Sequence, residues 1–127
     1  MIKVGEHVTL DIIGTKKEYD SSFFEGLVHK IADKAKVTVL NIAKYKFEPQ
    51  GFTLVALLAE SHISFHTYPE KGIISFDFYT CGTVAPSIAL DVLKKEKQKQ
   101  LFMLILLTQL QFQLMVNQFL HFIIWLL

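Results

Sequence analysis

The chain has 127 residues, half of them apolar, and a formal net charge of +1. That composition excludes intrinsic disorder, and the near-neutral balance leaves no electrostatic footprint for nucleic acid or an acidic surface. All thirteen basic residues are lysine, which rules out guanidinium clamps, and the one cysteine cannot close a disulfide within the chain.

The length predicts one domain, and the N-terminus carries no secretory-signal pattern, so a cytoplasmic protein is expected. His7 to Ile13 alternates, with Val8, Leu10 and Ile12 on one face, the pattern of a half-buried strand. Ser22 and Glu25 have the spacing of a capping box, and Phe23, Phe24, Leu27, Val28, Ile31 and Ala35 then recur at helical spacing through about Lys36. Val37 to Phe47 reads as a strand, Glu48-Pro49-Gln50-Gly51 as a turn, and Phe52 to Leu58 as an apolar strand. His62 to Tyr68 alternates, with His62, Ser64, His66 and Tyr68 facing one way. After a turn at Pro69 to Gly72, Ile73 to Cys81 alternates again. Pro86 suits the first turn of a second helix whose apolar stripe is Ile88, Ala89, Val92 and Leu93. The order predicts an α+β, two-layer sandwich: an antiparallel sheet with two helices on one face.

The chain divides near residue 100 into a domain of residues 1–100 and an atypical uncharged apolar tail, 101–127. Every Asp, Glu and Lys lies in residues 1–99, and twenty of the last 27 residues are apolar. Leu110 to Val116 alternates with glutamines as a strand would. The apolar runs Leu101–Leu107 and Phe122–Leu127 are too short to span a bilayer, and Gln109, Gln111, Gln113, Asn117 and Gln118 would sit in its middle, so no membrane partner is expected.

The residues that carry chemistry gather between 60 and 82. Glu60-Ser61-His62 places a serine directly after an acid with a histidine beside it, His66 follows, and Thr80-Cys81-Gly82 holds the only thiol. A Glu-Ser junction, a nearby histidine and a lone cysteine are the parts needed to cut the chain at a serine, convert that serine to a ketone-bearing group and return a proton to a product. Other readings fit less well. His62 and His66 lie about 13 Å apart along a strand, too far for one metal ion, and a metal site would need His7 and Cys81 brought in by folding; none is expected. No Gly-x-Ser-x-Gly elbow surrounds Ser61, and Ser61 and His66 have opposite strand parity, which argues against a Ser-His hydrolase.

Ala59-Glu60-Ser61-His62, His66-Thr67, Pro69-Glu70 and Thr80-Cys81-Gly82, with Gly5-x-His7 and Phe47-x-Pro49-x-Gly51 upstream, resemble the prokaryotic S-adenosylmethionine decarboxylase proenzymes, pyruvoyl enzymes of spermidine synthesis. The resemblance covers about residues 4–97. It implies cleavage between Glu60 and Ser61 by attack of the Ser61 hydroxyl on the Glu60 carbonyl. His66 would remove the Ser61 α-proton, and a covalent pyruvoyl cofactor would remain at position 61. Cys81 would protonate the product carbon. Thr53 stands where the family has a serine that assists cleavage, and Tyr68 replaces a common Trp. Phe47 would stack on the adenine of S-adenosylmethionine across a homodimer interface, and Glu70 would bind its ribose hydroxyls. The uncharged tail departs from the family, as a shifted reading frame near Lys97–Gln100 would make it do. Two other readings accompany this one: an arginine decarboxylase on the same scaffold, and a non-catalytic or damaged copy whose tail binds a membrane or partner.

Overall fold

The computed structural model describes residues 3–15 and 19–98. Five strands, β1 (Glu6–Ile13), β2 (Val39–Lys46), β3 (Phe52–Leu58), β4 (Ser61–Tyr68) and β5 (Ile73–Thr80), form one sheet in the order β1-β5-β4-β3-β2, every neighbour antiparallel. Helix α1 (Ser21–Ala35) carries the chain from one edge of the sheet to the other, and α2 (Ile88–Gln98) packs beside it on the same face. This is the two-layer α+β sandwich that the alternating strands predict. No helix among the described residues is long and apolar enough to cross a membrane.

Period-two patterning decides which face is covered. Val8 and Leu10 of β1, Leu54, Ala56 and Leu58 of β3, Ile63 and Phe65 of β4, and Ile74, Phe76 and Phe78 of β5 are all buried under the helices. The stripe Phe24, Leu27, Val28, Ile31, Ala32 and Ala35 of α1 fills the other side of that core. Phe24 is the keystone. Its ring stacks on Phe52 at 5.5 Å and tilts against Phe65 at 5.3 Å, and Phe65 meets Phe76 at 5.0 Å. Replacing it with Ala would cost about 3–5 kcal/mol.

The start of α1 differs from the expected capping box at Ser22. Asp20 is the N-cap, its carboxylate accepting from the Phe23 N–H at 3.0 Å, and the Ser22 hydroxyl donates to that same carboxylate at 2.7 Å. A charged oxygen is the stronger acceptor at a helix N-terminus, and the serine serves it instead of replacing it. The helix ends where Lys36 takes a left-handed conformation, φ 56°, so β2 starts two residues later than Val37. Pro86, expected in the first turn of α2, lies two residues ahead of it and is fully buried. At the β2–β3 turn Gly51 has φ +100°, where a side chain would be strained, and its carbonyl accepts from the Phe47 N–H at 2.9 Å. The strand expected at Leu110–Val116 lies outside the described residues.

Candidate active site

The second face of the sheet has no helix over it. His7 of β1, Thr53 of β3, His62, Ser64 and His66 of β4, and Asp77 of β5 all point to that open side, as their strand parity requires. The predicted site residues divide between its two ends.

One end holds Glu60, Ser61 and Cys81. Ser61 opens β4 opposite Thr80, so the residue after β5, Cys81, reaches back over the Glu60–Ser61 junction. Its N–H donates to the Glu60 carbonyl oxygen at 3.1 Å, and its thiol approaches the same oxygen at 3.3 Å. The Glu60 carboxylate accepts from the Thr38 N–H at 2.9 Å, which pins the residue from its other side. Ser61 has φ +147°, a conformation that only glycine adopts freely and that costs on the order of 1–3 kcal/mol elsewhere. A strained residue thus follows a carbonyl that already accepts from two donors. Such a bond is set up for attack at carbon, since negative charge developing on the Glu60 oxygen would be received where it forms.

A polar cluster continues inward along β4. The Ser61 hydroxyl lies 3.3 Å from His62 Nδ1, and His62 Nε2 lies 3.2 Å from Asp77 Oδ2. His7 Nε2 reaches the same Oδ2 at 2.8 Å, and the Ser64 hydroxyl donates to Oδ1. Burial pushes the Asp77 carboxyl up, but the hydrogen bonds from Ser64, His7 and His62 and the charge of His62 outweigh it. They hold Asp77 below its ordinary value of 3.8. An ionised carboxylate only accepts, so both imidazoles present Nε2–H to it, and the neutral form of His62 then carries its Nδ1 lone pair toward Ser61. Tyr79 packs against both rings, at 5.9 Å from His7 and 6.1 Å from His62. Gly5 permits this, because a Cβ there would lie 2.5 Å from the Tyr79 hydroxyl and 2.9 Å from the Thr80 carbonyl.

The far end holds His66, Thr53, Phe47 and Glu70. Thr53 and His66 are direct cross-strand partners, with Thr53 Oγ1 2.9 Å from His66 Nδ1 and Ser64 Oγ 3.4 Å from His66 Nε2. Ser64 has one proton and gives it to Asp77, so His66 donates from Nε2 and accepts at Nδ1 from Thr53. Phe47, just past β2, is exposed and packs edge-on against Tyr45 at 4.9 Å. Glu70 is exposed in a 3-10 turn, Pro69–Lys71, between β4 and β5.

The fold therefore brings Glu60, Ser61 and Cys81 together and does not bring His66 to them within one chain. Five residues of extended strand separate Ser61 from His66, about 16 Å. Asp77 carries no signal as a site residue in the sequence beyond its place as a carboxylate in an alternating strand. His7, His62 and Asp77 set three ligand atoms within 4.8 Å of one another, the one such group among the described residues. A divalent cation fits that spacing, but it would have to displace the hydrogen bonds just described, and Cys81 takes no part in the group. A separate cavity of about 530 Å³ lies between the start of α1 and the β2–β3 turn and contains none of Ser61, His66 and Cys81.

Comparison with known proteins gives this geometry its family. A sequence profile of S-adenosylmethionine decarboxylase matches residues 6–103. The S-adenosylmethionine decarboxylase proenzyme of Brevibacillus brevis is 44% identical over 100 residues, covering 73% of this chain and 75% of that protein. The proenzyme of Symbiobacterium thermophilum is 42% identical over 93 residues, covering 71% and 70%. The crystal structure of the adenosylmethionine decarboxylase of Aquifex aeolicus superposes with a TM-score of 0.61 at 35% identity, covering 76% of this chain and 79% of that one. The chain belongs to the S-adenosylmethionine decarboxylase family.

Proposed function

We propose that the chain is a proenzyme that cuts itself between Glu60 and Ser61 and then decarboxylates S-adenosylmethionine, the step that feeds aminopropyl transfer in spermidine synthesis. The observation that carries this reading is the junction itself: Cys81 N–H and thiol converge on the Glu60 carbonyl beside a strained Ser61. In the processed form the pyruvoyl group at position 61 would supply a ketone that takes up electrons as CO₂ leaves an α-amino acid. Cys81, within reach of that position, is the acid for the product carbon. A thiol in this role must be reduced, which fits a cytoplasmic protein.

The position of His66 argues for a homodimer. Two open sheet faces packed about a two-fold axis between them, perpendicular to the strands, place the Ser61 end of one chain against the His66 end of the other. His66 of the partner subunit would then take the Ser61 α-proton, with Thr53 of the partner subunit beside it. Phe47 of the partner subunit would offer its ring to the adenine and Glu70 its carboxylate to the ribose. Exposed Val55 and Leu57 on the same face give such a contact apolar surface to bury. The aromatic pair Phe47 and Tyr45 favours a nucleoside-bearing substrate over arginine.

Intact mass spectrometry of the purified chain tests the reading. Fragments 1–60 and 61–127 are expected, the second blocked to Edman sequencing, and Ser61→Ala should leave a single uncut chain. A folded wild type that stays full length would end this proposal.

A further inference from the structure

We infer that His62 is the general base that starts cleavage at Ser61, and that Asp77 is the positioning residue that fixes its tautomer. The inference rests on the self-processing reading above and assigns a residue to its first proton transfer. An acyl shift from nitrogen to oxygen needs the Ser61 hydroxyl to lose its proton as it attacks. His66 lies about 16 Å along the same strand, and its place in a dimer is over the α-proton, a later step. His62 stands beside the hydroxyl, its Nδ1 3.3 Å from Ser61 Oγ. That distance is long for a hydrogen bond at rest, as catalytic contacts are before the reacting groups close.

Three groups set the imidazole for this task. Asp77, ionised, accepts Nε2–H of His62 at 3.2 Å and so, when His62 is neutral, sets the Nδ1 lone pair toward Ser61. His7 at 2.8 Å and Ser64 hold that carboxylate from β1 and β4 and keep it from turning away. The order carboxylate, imidazole, hydroxyl is the logic by which a weak nucleophile is activated. The electrophile lies next in the chain with its oxyanion donors in place at Cys81.

The step balances without an outside reagent. The Ser61 Oγ–H proton passes to His62 Nδ1 as Oγ bonds to the Glu60 carbonyl carbon. The oxyanion is received by Cys81. The proton then passes from His62 to the Ser61 nitrogen as the carbon–nitrogen bond breaks, leaving an ester, a free amine at residue 61 and a neutral imidazole. No group is oxidised or reduced.

The experiment follows ester formation in the full chain. With His66→Ala to block the later step, hydroxylamine cleaves whatever ester has formed, and gel densitometry gives its rate. Adding His62→Ala should slow that rate by about 10²-fold or more. Because the His62 side chain is 40% exposed, free imidazole should enter its place and restore part of the loss. Asp77→Asn, similar in shape, should slow the same step about tenfold and displace the acid limb of its pH–rate profile. Of the titratable groups facing Asp77, His7 comes from β1 and His62 from β4. Loss of packing alone would not move that limb. His62→Gln carries the same expectation as His62→Ala if the alanine chain misfolds by circular dichroism.

Ester formation at the parent rate without His62 would overturn the inference while leaving self-processing intact, and absence of any ester in a folded His66→Ala parent would instead remove the reading beneath it. Processing of the wild type that stops with a chelator and returns with zinc would also overturn it, because a cation on His7, His62 and Asp77 would take the base away.

Discussion

The two ends of the open sheet face have the same surroundings and opposite equipment. Both lie on helix-free sheet, and both carry a histidine on β4 hydrogen-bonded to a side chain across the sheet. The Ser61 end has the Glu60–Ser61 bond, the thiol and the strained backbone; the His66 end has an exposed aromatic ring, a turn carboxylate and an imidazole paired with a hydroxyl. On the proposed mechanism neither set is complete. The difference then teaches that the unit of chemistry would be two half-sites, since within one chain Ser61 and His66 stay apart by the length of a strand.

The sharpest way to break this comparison is complementation. A chain with His66→Ala and a chain with Cys81→Ala should each be nearly inactive alone. Co-expressed, they should recover about a quarter of wild-type decarboxylation, since half of randomly formed dimers carry one intact composite site of two. No recovery in dimers verified by mass would place both halves of each site within one chain.

Cys81→Ala alone sharpens the Ser61 end. It removes the thiol but keeps the N–H that reaches the Glu60 oxygen at 3.1 Å. Self-cleavage should persist within a few-fold while turnover falls about 10²-fold, compared by gel and by release of labelled CO₂. Equal losses in both would mean that the thiol, not the backbone, holds the scissile carbonyl.

Asp77 lies between the ends, and its effect on stability is smaller. Its folded carboxyl sits below its ordinary value of 3.8, so it stabilises the fold above that value and the contribution disappears as pH falls through the lowered one. The stability gap between the uncut Ser61→Ala chain and the same chain with Asp77→Asn should therefore narrow as pH falls below 3.8. Urea titrations across that range measure it, and a gap unchanged into strong acid would remove Asp77 as its source.

Smallest of all should be the effect of ending the chain after residue 103, where the family match stops. Every residue assigned to either half-site lies before residue 82, so cleavage should proceed at the full-length rate. Lost processing in a soluble shortened chain would make residues 104–127 part of the enzyme.

Much of this was legible beforehand because strand parity is a strong signal. Alternation in β4 placed His62, Ser64 and His66 on one face, and the apolar partners in β5 placed Ile74, Phe76 and Phe78 on the other. The cap of α1 is not legible in the sequence, since Ser22 and Asp20 are both good caps and only geometry decides which oxygen faces the Phe23 N–H. Asp77 could not be found from spacing, because its role depends on a register that sets it opposite Ser64 and diagonal to His7 and His62. The separation of His66 from Ser61 was implicit in the strand reading, yet its meaning needed the positions of Cys81 and Thr53 from two other strands.

The place of the proposed cut within the sheet would have a consequence for the processed protein. Cleavage between β3 and β4 would yield a first fragment with β1, β2 and β3 and a second with β4 and β5, and the sheet order β1-β5-β4-β3-β2 sets the second between strands of the first. The pieces would be interleaved, with β1 latched on one side and β3 on the other, and would stay joined after the peptide bond is gone. Refolding would then cease to be a one-chain event. The uncut Ser61→Ala chain should recover from denaturant at a rate independent of dilution, whereas the mature protein must find its other half again.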